Sequence, residues 1–114
     1  MPRTTTGPGW RDPSLVVLGC LSAGPRHGYA IMTAAREEYG ASLGPGTLYG
    51  ALARLEERGL VEALESEDPR RRPYALTARG RESLAEQVAS MRAFSSKVSR
   101  RLGAVARPAV AGAR

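Results

Sequence analysis

Few residues of this 114-residue chain are equipped for covalent or metal chemistry. It has a single thiol, Cys20, and a single imidazole, His27. A Cys–His pair can work as nucleophile and base when a third group orients the imidazole. Here a helix end and the Gly24-Pro25 turn separate the two, with no orienting residue and no glycine-rich phosphate loop in view. One Cys and one His cannot build a zinc site, and one Cys forms no internal disulfide. The reading is therefore no catalytic residue, no metal and no cofactor. Cys20, inside an apolar segment, is expected to be buried and inert, with a redox switch as the lesser alternative, and His27 to be a helix cap rather than a pH sensor.

The cations are the other chemically equipped group. Of 17 basic residues 16 are Arg, and the formal net charge is +6. Through residue 86, eleven basic residues balance eleven acidic ones. Beyond it, Arg92, Lys97, Arg100, Arg101, Arg107 and Arg114 face no acid at all. That tail suits non-specific DNA affinity or plain solubility. In the balanced body Arg70, Arg71 and Arg72 stand together, with Arg79 and Arg81 behind them and no acid between Pro69 and Arg81. Guanidinium forks in a row suit phosphates or a narrow minor groove. The bland alternative is a solvated loop whose charge Glu65, Glu67 and Asp68 partly offset.

The elements that must position these groups can be read from caps and periodicity. Residues 1–11 are rich in Thr, Gly and Pro and read as a disordered arm. Asp12-Pro13 is an N-cap followed by Pro at the first helical position, so a first helix runs from there to about Ala23. Its apolar residues are nearly continuous, which predicts burial on more than one side. A second helix spans about His27 to Tyr39, capped by Gly40. A third spans about Gly46 to Arg58 with Leu48, Leu52 and Leu55 as its buried stripe. Leu60–Glu65 and Tyr74–Thr77 read as a β-hairpin around a basic tip, Ser66–Pro73. Thr77 then caps a fourth, long helix carrying Leu84, Val88, Met91, Ser95, Val98, Leu102 and Val105 in alternating steps of four and three, with Phe94 beside them. Such a seam wants a partner surface; its alternative is to fold back on its own domain.

Helix, helix, helix, hairpin, helix is the order of a winged helix-turn-helix: mainly α with a small β-hairpin, plus a C-terminal dimerisation helix. The boundaries are 12–77 for the winged helix-turn-helix, 78–106 for the dimerisation helix and 107–114 for a frayed basic tail. The third helix would enter the major groove. Its surface then offers Thr47, Tyr49, Gly50 and Arg54, with Gly46 and Ala53 between them. Thr47 sits at the helix start, where free N–H groups favour a phosphate. Tyr49 lies on this face, or packs under the wing. Arg54 can reach a base or phosphate, or pair with Glu57. Tyr29, at the start of the second helix, touches a phosphate or packs on the first helix, and packing is slightly favoured.

Three stretches resemble the PadR family of bacterial transcriptional regulators: Leu15–Arg36 (LVVLGCLSAGPRHGYAIMTAAR), Leu43–Leu60 (LGPGTLYGALARLEERGL) and Tyr74–Gly80 (YALTARG). The most specific piece is Gly46-Thr47-Leu48-Tyr49 followed by Leu52, Leu55, Glu56, Gly59 and Leu60. The resemblance implies a homodimeric, DNA-binding repressor of the short type, whose dimer is built by the last helix with the first. On that basis the interface falls on Leu15, Leu18, Leu84, Val88, Met91, Phe94, Val98 and Leu102. The resemblance also implies that Tyr49 donates its hydroxyl to a phosphate. In some short members a hydrophobic channel at the interface binds flat, drug-like molecules, and a Trp on the last helix takes part. Here the only Trp is Trp10, ahead of the first helix, so an effector site would draw on Trp10, Met91, Phe94 and Val98.

These readings converge on a sequence-specific regulator, a homodimeric repressor on a pseudo-palindromic operator of double-stranded DNA, with a small hydrophobic or aromatic effector as a further ligand. The alternative is a winged-helix protein–protein adaptor or a ligand sensor without direct DNA binding. The longest uncharged apolar run, Ser14–Ala23, is too short to cross a bilayer, and Met1–Gly9 has no apolar core of a signal peptide. A membrane role is not expected, and the location expected is cytoplasmic, at the nucleoid.

Overall fold

The computed structural model describes residues 12–111, with side chains through Gly103. The elements are α1 (Pro13–Leu21), β1 (Arg26–His27), α2 (Gly28–Tyr39), α3 (Pro45–Glu57), β2 (Val61–Ala63), β3 (Pro73–Leu76) and α4 (Ala78–Ala111). The chain divides into two compact units, the first ending at Leu84 and the second beginning at Ala85.

Each helix start follows from its cap. Asp12 accepts from the amides of Ser14 and Leu15 at 3.1 and 3.3 Å, which occupies two donors that helix geometry leaves orphaned. His27 Nδ1 accepts from the Ala30 amide at 3.4 Å and so caps α2. Helix α3 starts one residue earlier than the periodicity suggests, because Pro45 takes the first position after Gly44. Helix α2 ends on Gly40 in the left-handed conformation (φ 65°), where the Ala41 amide bonds back to the Ala35 carbonyl at 2.9 Å. Helix α1 ends at Leu21, two residues short of Ala23, and Ser22 turns its hydroxyl back onto the Gly19 carbonyl at 2.6 Å.

The core of the first unit comes from all three short helices. Val17, Cys20, Ile31, Ala35, Leu48, Ala51, Leu52 and Leu55 are essentially sealed from solvent, closed on the sheet side by Leu60 and Val61. Leu48, Leu52 and Leu55 repeat at helical spacing, so the opposite face of α3 stays open. Tyr39 donates its hydroxyl to the Gly19 carbonyl at 3.2 Å, tying the end of α2 to α1. Burial, first of all, raises the Tyr39 pKa, with Cys20 and Glu38 adding and Arg26 opposing.

The sheet has three strands, in the order β1-β3-β2, where the sequence suggested two. Strand β1 is two residues long, Arg26 opposite Tyr74 and His27 opposite Pro73, and too short for any alternating pattern to announce it. Strand β2 pairs with β3 as Val61–Leu76, Glu62–Ala75 and Ala63–Tyr74.

Helix α4 begins at a joint with the rest of the first unit. Thr77 Oγ1 donates to the Gly59 carbonyl at 2.6 Å and accepts from the Gly80 amide at 2.9 Å. The Thr77 amide donates to the Leu60 carbonyl at 3.1 Å. Gly59, at φ 77°, makes the turn that allows this. Leu84, assigned to the dimer interface from the resemblance, is half-buried and packs on one side against this unit's own core. The α4 backbone runs on past residue 107 to Ala111, with a non-helical residue at Gly103.

Candidate nucleic-acid interface

Helices α2 and α3 with the turn between them form a helix-turn-helix, and the β2–β3 hairpin extends beside it. The face of α3 turned from the core carries Gly46, Thr47, Gly50, Ala53 and Arg54, as its buried stripe requires. Thr47, Ala53 and Arg54 are exposed. No side chain caps the start of α3, so the Gly46 and Thr47 amides keep their donors, while the Leu48 amide bonds to Gly44 at 2.9 Å.

Tyr49 leans to one flank of α3 and is 45% exposed. Its hydroxyl rests over Gly28 at the start of α2, where a β-carbon would collide with it. Gly28 is buried for this reason, a role no sequence signal marked. Tyr49 is also close enough to Tyr74 on β3 to affect its ionisation. Burial is the main cause of the raised Tyr74 pKa; Glu56 and Tyr49 add to it and Arg72 opposes it. Tyr49 on the flank of α3 and Arg72 at the base of the wing thus both act electrostatically on Tyr74. Tyr29 does not pack on α1: it is 71% exposed, because the buried face of α2 falls on Gly28, Ile31, Ala34 and Ala35.

The wing tip is better ordered than a polar turn need be. The Leu64 amide donates to the Pro73 carbonyl at 2.8 Å, extending the ladder one step beyond β2. Above it, Pro69–Arg71 forms a single 3-10 turn capped by Asp68, whose carboxylate accepts from the Arg70 amide at 3.0 Å. Ser66 fixes Asp68 in turn, donating to its carbonyl at 3.0 Å. The same Asp68 carboxylate meets Arg70 Nε at 3.4 Å. Of the offsetting acids, then, it is Asp68 that engages an arginine. Arg70, Arg71 and Arg72 are all exposed, and Arg71 and Arg72 form no ion pair among the described residues.

Elsewhere Arg26 meets Glu38 at 3.5 Å, joining β1 to the end of α2. Cys20 is sealed, its Sγ 3.7 Å from the Ile31 carbonyl. Burial pushes its pKa up from 9.0 to about 11, with Arg26 opposing and Glu38 adding. A thiol so held is protonated at neutral pH and a poor nucleophile. Among the described residues no cluster of three His, Cys, Asp or Glu side chains stands ready for a metal, and no helix is long and apolar enough to cross a membrane.

The second unit, described by itself, is a helix with an apolar stripe in the open. Val88, Met91, Phe94 and Leu102 are exposed, Phe94 to 72%, and Val98 is half-buried. Leu18, assigned to the same interface, lies in the first unit's core at 2% exposure, because α1 is enclosed on the side it faces; Leu15 stays half-exposed. Trp10 lies outside the described residues, as do the arm and the end of the tail.

Three short helices, a hairpin wing and a trailing helix define a winged-helix protein. The model of the transcriptional regulator PadR-like family matches residues 17–86, and the chain belongs to that family. A protein described as an uncharacterized 37.1 kDa protein in transposon TN4556 of Streptomyces fradiae is 51% identical over 87 residues, 76% of this chain. The chain spans a quarter of that relative's length. Among solved structures, a PadR family transcription regulator from Clostridium difficile is 28% identical with a TM-score of 0.65, over 82% of this chain and 97% of the other. A transcriptional regulator from Clostridium thermocellum aligns at TM-score 0.69 and 24% identity, over 81% of this chain and 89% of the other, a likeness of fold.

Proposed function

We propose that this regulator is a homodimeric, sequence-specific DNA-binding repressor, acting in the cytoplasm on a pseudo-palindromic operator. The observation that carries the reading is the wing: three exposed arginines on a tip built around a capped 3-10 turn, on the hairpin that follows α3. An arginine tip suits backbone phosphates and positions the protein, while α3 addresses base edges. Thr47, Tyr49, Gly50 and Arg54 form the groove face, with Tyr29 on a phosphate. The exposed stripe of α4 supports a homodimer, since each large apolar side chain covered contributes roughly 1.5–3 kcal/mol. Two copies of α3 would then enter successive major grooves about 34 Å apart. The same stripe, at Met91, Phe94 and Val98, is where a small hydrophobic effector would act on the dimer.

The test is a polarisation titration against DNA from immediately upstream of the protein's own coding sequence, at several salt concentrations and with random DNA as competitor. Binding that survives competitor is the expected result. The Arg70→Ala, Arg71→Ala, Arg72→Ala triple variant should weaken binding to every sequence and flatten the log–log salt slope by about 0.9 for each phosphate the wing no longer neutralises. An unchanged slope would remove the wing from the interface. Failure of the parent protein to bind any DNA at low salt would favour the protein–protein adaptor instead.

A further inference from the structure

We infer, resting on the DNA-binding reading above, that Arg54 reads a guanine in the major groove and that Gly50 is the residue that positions it. The open face of α3 is made of small residues: Gly46, Thr47, Gly50 and Ala53 bring the helix backbone close to a groove floor but carry almost nothing that can tell one base from another. Arg54 is the one long donor among them. Its guanidinium does not turn toward Glu57, its exposed neighbour at the next turn, and Arg54 makes no ion pair among the described residues. Instead the side chain runs back toward the helix N-terminus, the direction helix geometry favours. Nη1 comes to rest 3.5 Å from where a Gly50 β-carbon would stand.

That placement matters for recognition. In helix-turn-helix docking the N-terminal part of the recognition helix meets the base edges. An arginine rooted at position 54 would meet DNA a full turn away from them if it pointed outward. Laid over Gly50, it delivers its fork to the leading half of α3. A planar fork with paired donors matches the O6 and N7 acceptors of guanine, and no other base edge in the major groove offers two acceptors in that arrangement. The bare surface of Gly50 is the seat. A methyl there would sit at ordinary contact distance from the guanidinium, whereas a larger side chain would take its place.

The experiment is a binding selection by the full-length protein from random-sequence duplex DNA, followed by competition titrations of the selected duplex against guanine-to-adenine variants in each half-site. The parent protein should prefer guanine at one position per half-site by roughly 5- to 150-fold, the range for a bidentate base pairing. Arg54→Ala should abolish that preference while leaving the other positions discriminating. Gly50→Val should lose it too, although Arg54 and its charge remain. Gly50→Ala should retain it. If Gly50→Val does not fold, by circular dichroism, Gly50→Gln fills the same seat with an unbranched chain. Undiminished guanine preference in Arg54→Ala, or in the folded bulky variant at position 50, overturns the inference and leaves the DNA-binding reading standing. A parent protein that binds no duplex at all overturns both.

Discussion

Replacing Gly80 by Ala tests how α4 is joined to the winged helix. A β-carbon on Gly80 would run into the Leu60 carbonyl oxygen, with the carbonyl carbon at 2.9 Å and the Leu60 Cα at 3.3 Å. A backbone carbonyl in a hydrogen-bonded turn cannot rotate away as a side chain can. Relief requires the first turn of α4 and the Leu60 segment to part. That opens the Thr77 amide–Leu60 bond (3.1 Å) and the Thr77 hydroxyl–Gly59 bond (2.6 Å). Two hydrogen bonds at about 1 kcal/mol net each, with about 1–3 kcal/mol for overpacking, give a cost of roughly 3–5 kcal/mol. Helix propensity returns up to about 1 kcal/mol of this, leaving about 2–4 kcal/mol, a large part of the roughly 5–15 kcal/mol that holds a domain together. Urea unfolding at one fixed protein concentration should therefore show a midpoint lowered by about 1 M or more, at the usual slopes for small proteins. Gly28→Ala is the contrast. Its β-carbon meets the far end of the Tyr49 side chain, which is half-exposed and can swing outward. It should cost less than about 1 kcal/mol of stability while displacing Tyr49 from its place over the start of α2. A Gly80→Ala protein as stable as the parent would refute the close approach. Equal losses in the two variants would refute the distinction between backbone and side-chain obstruction.

Other outcomes follow from the same geometry. Thr77→Ala removes an N-cap and the bond to Gly59, and should lower stability by about 1–3 kcal/mol in the same urea assay. Leu52→Ala, at the centre of the core, should cost about 2–5 kcal/mol. Cys20 should resist a thiol reagent at pH 8 in the folded protein and react once urea unfolds it. Because its folded pKa lies above the unfolded 9.0, the stability it contributes is intact below pH 9 and lost as pH rises toward about 11; Cys20→Ala should lessen that alkaline loss, and an unaltered profile would count against burial of the thiol. If the α4 stripe pairs two copies as proposed, Met91→Asp on it should shift sedimentation toward monomer, and an unchanged profile would count against that interface.

Much of this architecture is legible in the residues. Asp12 before Pro13, Gly40 after Tyr39 and Thr77 before Ala78 each mark a helix end by a local rule, and the caps form. The Leu48–Leu52–Leu55 stripe orients α3, and with it the exposed face of the candidate site. What escapes is long-range. Strand β1 is two residues whose pairing with β3 depends on where α2 begins. Gly28 and Gly80 are glycines because another segment approaches them, which no periodicity records. Leu18 is an apolar residue with two available surfaces, and only the packed domain decides that it turns inward, while Leu84 stays half-buried. Tyr29 goes the other way: an aromatic residue in an apolar neighbourhood reads as packed, yet the register of α2 places it in solvent.

The wing tip has a consequence for how the regulator can change. The Leu64–Pro73 bond closes the ladder beneath it, and from Glu65 to Arg72 no residue contributes to the core. Insertions and deletions in that stretch lie outside everything that stabilises the domain, and each doubling of such a loop adds only about 0.6 kcal/mol of closure entropy. The reach and charge of the tip can thus be lengthened, shortened or exchanged as a cassette. Under the proposed DNA-binding reading, grip on the sequences flanking an operator would drift, or be engineered, independently of the helix proposed to address its bases.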